Sequence, residues 1–226
     1  MSVIGSMLGL RCAAHARTSP KPDAWLATGA VALGGAGIWV MHFTAMLGFS
    51  IHGATIRYDG VVTLLSAAIS IVVVWIGLSI AVRAARKAVA IPLGGLVTGT
   101  GVAVMHYLGM YAMHTSAHIE YRFPLVALSF AIAVVAATVA LWFAVTVRGL
   151  RASLSAALVM GLAVCGMHYT GMSAMRAHMS ADMSPPEGSQ AVQLVTPLFV
   201  SVIIVTMALM LVVGLAEVDE RSKSEG

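Results

Sequence analysis

The stretch Leu125-Val-Ala-Leu-Ser-Phe-Ala-Ile-Ala-Val-Val-Ala-Ala-Thr-Val-Ala-Leu-Trp-Phe-Ala-Val-Thr-Val147 runs without one Asp, Glu, Lys, Arg or His. A helix of that length rises about 34 Å at roughly 1.5 Å per residue, enough to cross a hydrocarbon core about 30 Å thick. Five more stretches read the same way: 24–49, 61–82, 91–113, 154–175 and 195–215. Of the 226 residues 59% are hydrophobic and 10% charged, and the mean hydropathy is +0.93, which excludes an ordinary water-soluble domain. An all-α, polytopic membrane helix bundle of about seven spans is predicted. The short connections leave no room for a separate catalytic or receiver domain.

The seventh span is residues 2–14, apolar enough to enter a bilayer but too short to cross it, with Arg11 near its end. A cleaved signal peptide fits less well, because the basic residues follow the apolar run instead of preceding it. The expectation is a first helix that is short or incomplete, an integral membrane domain over 1–216, and a short cytoplasmic tail over 217–226. Loop charge sets the orientation. Segments 11–23, 83–90, 148–153 and 216–226 hold ten of the 13 Lys and Arg, and 50–60, 114–123 and 176–194 hold three. The first set is expected in the cytoplasm, with the N-terminus outside and the C-terminus inside. The net charge of +4 is then a matter of topology, and no nucleic-acid partner is implied. Cys12 and Cys165 form no CxxC, so neither a disulfide framework nor a zinc ribbon is expected.

Three segments align without gaps: Val40-Met41-His42-Phe43-Thr44-Ala45-Met46, Val104-Met105-His106-Tyr107-Leu108-Gly109-Met110 and Gly166-Met167-His168-Tyr169-Thr170-Gly171-Met172. Each period contains two spans, so the three repeats share one orientation and their motifs end in the same, outer leaflet. Gly35, Gly99 and Gly161 recur six residues before each motif Met and are candidates for the contact between repeats.

On a helix the fourth and seventh residues onward lie about 40° and 20° from the first. His42 thus shares a stripe with Met46, His106 with Met110 and Met113, and His168 with Met172 and Met175, whereas Phe49 stands at the corresponding place in the first repeat. Met41, Met105 and Met167 point about 100° away. Thioether sulfur favours Cu(I), imidazole accepts both copper states, and neither suits calcium or magnesium. Oxygen ligands are scarce: Asp59, Glu120, Asp182 and Glu187 are the acids on the expected outer side. A lone membrane histidine is ordinarily a packed, hydrogen-bonded residue, and methionine an ordinary gap-filler. Three His at equivalent offsets, each followed four residues on by Met, shift the balance toward a ligand role. His52, His114, His118 and His178, in the outer loops, are accessory candidates for capturing a metal ion, as is the Cys165 thiol beside the third motif. No nucleophile with its base, phosphate-binding loop or acid pair is present, and no enzymatic activity is expected.

The sequence Met167-His168-Tyr169-Thr170, with its two relatives in this context, resembles the MHYT family of bacterial integral-membrane sensor domains over essentially the whole chain. The resemblance implies copper binding near the outer face and sensing of a diatomic gas such as oxygen, carbon monoxide or nitric oxide. The ligands it implies are Met41, His42, Met46, Met105, His106, Met110, Met167, His168 and Met172. Phe43 stands for Tyr in the first motif and Leu108 for Thr in the second, so neither hydroxyl is needed at every repeat. Many family members continue into cyclic-di-nucleotide or histidine-kinase domains; for this chain the resemblance implies an input, and its output is expected in a separate cytoplasmic or membrane signalling protein. The competing readings are a haem site with His or Met axial ligands, a copper or ion transporter, and a purely structural membrane component.

Overall fold

The computed structural model describes residues 1–51, 54–179 and 187–225. His52 and Asp182 lie outside the described residues. Seven helices follow in order: α1 (Ser2–Ala16), α2 (Pro22–Leu47), α3 (Gly60–Arg83), α4 (Lys87–Tyr111), α5 (Phe123–Thr146), α6 (Leu150–Ala174) and α7 (Ala191–Glu225). Six of them, α2 to α7, are long and apolar enough to span a membrane, so the protein is a multi-pass, all-helical membrane bundle. The fifteen residues of α1 rise only about 22 Å. Pro22 opens α2, where its fixed φ suits a first helical turn, and the Asp59 carboxylate caps α3 by accepting from the Val62 N–H at 2.9 Å. Helix α7 continues without a break to Glu225, so the segment expected as a solvated tail extends the last helix.

The helices are arranged around a pseudo-threefold axis. The motif-bearing α2, α4 and α6 form the inner ring. Helix α3 covers the seam between α2 and α4, and α5 the seam between α4 and α6. The third seam, between α6 and α2, is covered by α1, while α7 packs against α1 and α2. The short first helix therefore completes the outer ring. Its glycines let it sink in: a Cβ on Gly5 would fall 2.4 Å from Gly37 Cα, and one on Gly9 would meet the Leu33 side chain at 2.9 Å.

Residues Val31–Trp39 of α2 wind as a π-helix. Within it the Val40 N–H reaches back five residues to the Gly35 carbonyl, and the Gly34 carbonyl accepts the Ser70 hydroxyl at 2.7 Å from α3. Such distortions concentrate at functional sites, and this one ends three residues before His42.

Short strands close the motif end of the bundle, which the sequence reading did not anticipate. Strand β1 (Ile56–Tyr58) pairs antiparallel with β2 (Met113–Thr115) and β5 (Ser189–Gln190), and β3 (Ala117–Tyr121) pairs with β4 (Met175–Met179). Pairing satisfies backbone groups where the chain leaves the helices. Tyr58 is buried in this cap against Phe43, and burial pushes its phenol up to about 12.

The recurrent glycines contact the outer helices, not the next repeat. A Cβ on Gly99 would lie 2.4 Å from Val134 Cα on α5, and on Gly161 2.9 Å from Val3 on α1, whereas at Gly35 it would make ordinary contact with Ile71 of α3 at 3.6 Å. Because each seam is filled by an outer helix, the repeat glycine faces that helix. Gly99→Ala is expected to destabilise the bundle by about 1–3 kcal/mol through forced separation of α4 and α5, with Gly35→Ala nearly neutral. Thermal unfolding in detergent checks this; equal transitions for the two variants would show that the close approach at Gly99 is unimportant.

Candidate metal centre

One histidine from each inner helix reaches the axis. Nδ1 of His42 lies 3.0 Å from Nδ1 of His168 and 3.1 Å from Nδ1 of His106, and the third edge, His106 to His168, is 3.3 Å. The rings stand nearly perpendicular, at 77°, 78° and 90°, like the blades of a propeller. All three side chains are at most 1% exposed. Among the described residues this is the one cluster of three or more His, Cys, Asp or Glu whose ligand atoms converge within 4.8 Å.

The backs of the rings rest on glycine. A Cβ on Gly109 would fall 2.3 Å from His42 Nε2, and a Cβ on Gly171 would fall 2.3 Å from His106 Nε2. Each of these glycines stands three residues after the histidine of its own helix, so each ring leans on the next repeat. The residue at that place in the first repeat is Ala45, half-buried. It lines a pocket of about 340 Å³ with Met41, Cys165 and Tyr169, at the seam where the short α1 leaves the motif end uncovered.

Hydrogen bonding among the three rings leaves lone pairs facing one another at the axis. A neutral imidazole has one N–H and one lone pair, so among three converging Nδ1 atoms one central proton can bridge only part of the triangle, and at least two rings carry theirs on Nε2. Yet Nε2 of His42 and of His106 are buried without a partner. Each such atom costs about 1–3 kcal/mol, and these Nε2–H groups are what coordination through Nδ1 requires. A cation among the Nδ1 lone pairs removes their repulsion. The point equidistant from the three nitrogens is about 1.8 Å from each, and an ion slightly out of their plane reaches the roughly 2.0–2.1 Å of a zinc–imidazole bond. The donor set therefore fits a small transition-metal ion.

The other candidates are placed variously. Met46, Met105, Met110 and Met167 are buried to 2% exposure or less, Met41 is buried beside the pocket, and Met172 is half-buried. Met113 and Met175 do not extend the helical stripes: α4 stops at Tyr111 and α6 at Ala174, and both methionines enter strands, opposite Tyr58 and Tyr121 respectively. Strand pairing at the cap overrides the helical period there. His114 is exposed, its Nδ1 3.1 Å from the Glu187 carbonyl. His118 and His178 are exposed and face each other across β3 and β4, each with Nε2 3.9 Å from a Glu120 carboxylate oxygen.

The motif aromatics tie inner to outer helices. The Tyr107 hydroxyl pairs with Ser129 Oγ of α5 at 2.8 Å. In the first repeat, where Phe43 lacks a hydroxyl, the equivalent Ser66 of α3 accepts from Trp39 Nε1 at 2.9 Å. Tyr169 is largely exposed. The sequence reading missed the glycine cradles and this substitution, although the +3 position of the aligned motifs, Ala45, Gly109 and Gly171, carried the signal.

Residues 35–93 and 99–157 match the family described as the bacterial signalling protein N terminal repeat, MHYT. The chain is 43% identical over 155 residues to the bifunctional diguanylate cyclase/cyclic di-GMP phosphodiesterase MucR of Pseudomonas aeruginosa, covering 66% of this chain and 22% of that protein. It is 38% identical over 160 residues to the cyclic di-GMP phosphodiesterase NbdA of the same organism, covering 68% and 20%. With the signalling protein YkoW of Bacillus subtilis the identity is 31% over 183 residues, covering 78% and 22%. The chain thus spans about a fifth of the length of these relatives. No solved structure matches it. The matched repeats cover just over half of the chain and carry His42 and His106, with His168 beyond the second of them; the protein belongs to the MHYT family of bacterial signalling proteins.

Proposed function

We propose that this domain is an integral-membrane sensor that holds one copper ion on His42, His106 and His168 and responds to a diatomic gas or to redox state. The observation that carries the reading is the triangle of Nδ1 atoms with edges of 3.0, 3.1 and 3.3 Å, buried between three helices. Copper, when bound, supplies a redox-active centre able to take an exogenous ligand, and thioether ligation by Met46 or Met110, buried one turn beyond the histidines, would favour the reduced state. The chain's own contribution is to exclude water, to fix the rings on Gly109 and Gly171, and to couple the inner helices to their neighbours through Tyr107–Ser129 and Trp39–Ser66. The same geometry favours a bare ion over haem. Nitrogens this close leave no slot for a porphyrin between any two of them, whereas axial ligands must stand on opposite faces of the ring.

Relatives named for making or breaking cyclic di-GMP, of which the matching region is about a fifth, support an input role for this domain. The ten-to-three loop charge count supports an outward motif end. His118→Cys should then react with a membrane-impermeant thiol reagent in whole cells and Lys87→Cys should not; the opposite pattern would invert the topology. The metal assignment is tested by loading the full chain with Cu(I) under anaerobic conditions, washing, and measuring copper per chain. One equivalent without a Soret band is expected. No retained copper, or a haem spectrum in protein from the native membrane, would overturn the reading.

A further inference from the structure

Beneath the histidines, on the side toward the helix N-termini, lies an internal cavity of about 40 Å³. Ile38, Val102 and Val164 all line it, and each stands four residues before the histidine of its own helix. Four residues are about 6 Å of rise, and helical side chains lean toward the N-terminus, so the rings lie over this space. Its other walls are apolar except for Thr98, whose hydroxyl donates to the Val73 carbonyl at 3.2 Å. A cavity so lined stays dry. Its volume is several times the roughly 10–15 Å³ that admits one water-sized molecule.

The cavity has a neighbour. A groove of about 340 Å³ between α5 and α6 opens beside the exposed Val135 and Val159, on the face turned to lipid. Groove and cavity share two lining residues, Ala136 and Met160. Met160 is buried, unbranched and flexible, a side chain that can swing without moving a helix. We infer that the cavity is a holding chamber for an apolar diatomic molecule, which reaches the three histidines from the bilayer through the α5–α6 seam with Met160 as its gate. Such molecules partition into hydrocarbon, and the route never crosses the polar cap. The inference builds on the gas-responsive reading above, but the chamber and its gate can be tested without copper.

The first measurement uses xenon on the metal-free full chain in nanodiscs. Xenon-129 exchange NMR is expected to show one slowly exchanging site, eliminated in Val164→Phe, which fills the chamber. Ala136→Leu, narrowing the seam, should slow exchange at least tenfold, and Met160→Ala should accelerate it. No bound xenon in the wild type would overturn the chamber, and exchange unaffected by both seam variants would overturn the route. The second measurement follows carbon monoxide recombination after photolysis in the Cu(I)-loaded chain. The same two variants should change the association rate in the same directions, with copper content and the CO stretching frequency unchanged. Xenon behaviour as expected in a chain that binds no copper or carbon monoxide would leave the chamber standing and reject the sensor reading instead.

Discussion

Replacing His42, His106 and His168 together with Ala is expected to reduce bound copper from one equivalent per chain to none. The three imidazoles supply all the nitrogen donors of the cluster, and their ligand atoms lie within 3.3 Å of one another. By analogy with structural zinc sites, where four ligands share roughly 10–16 kcal/mol, one ligand is worth about 3 kcal/mol, so even His168→Ala alone should weaken binding by a hundredfold or more. The triple variant should still insert and fold. The outward faces of α2, α4 and α6 are untouched, and the cost of the vacated volume is partly offset by removing two buried nitrogens that have no hydrogen-bond partner. Copper per chain, together with a helical circular dichroism spectrum, reads both halves of the expectation. An unchanged stoichiometry would sink the site.

The glycine cradles give the second large effect, and one that a merely apolar core would not show. Gly171→Ala places a methyl 2.3 Å from His106 Nε2, and Gly109→Ala does the same to His42, so in each case the ring must swing off the axis. Loss of one donor's alignment should weaken Cu(I) at least tenfold, on top of an overpacking cost of about 1–3 kcal/mol in thermal stability. Ala45→Gly, at the corresponding place in the first repeat, should leave affinity within a factor of about two or three, because that position already carries a methyl in the native packing. Competition titration with a Cu(I) chelator distinguishes the three. Equal affinities across the set would show that the glycines serve helix approach and not ring placement. A helix-packing role alone would lower stability without separating copper affinity from it.

Much of the protein is legible from local properties of the chain. Hydropathy located five of the six long helices to within a few residues of their observed ends, and missed the end of α7, which runs on through the charged tail to Glu225, because the cost of burying charge in hydrocarbon acts on each segment by itself and marks where a span leaves lipid, not where a helix stops. The 64- and 62-residue offsets singled out His42, His106 and His168, since equal spacing over two spans leaves them at equal depth with one orientation. The helical period failed only near the ends. Met113 and Met175 sit where backbone groups leaving the helix find strand partners instead, and pairing between segments distant in sequence leaves little mark on either segment.

The sequence by itself determined that the chain is a membrane bundle of three like repeats and which three histidines it sets at one depth. Tertiary structure alone decided that the short α1 fills the third seam, that the three Nδ1 atoms meet within 3.3 Å, that Gly109 and Gly171 carry the backs of two rings, and that a dry chamber lies under them. The physical reason is one of range. Transfer to lipid is a sum over neighbours in the chain, whereas the rotation of each helix about its axis is fixed by contacts such as Gly5 on Gly37 and Gly99 on Val134, which join residues 32 and 35 apart and are invisible to any local pattern.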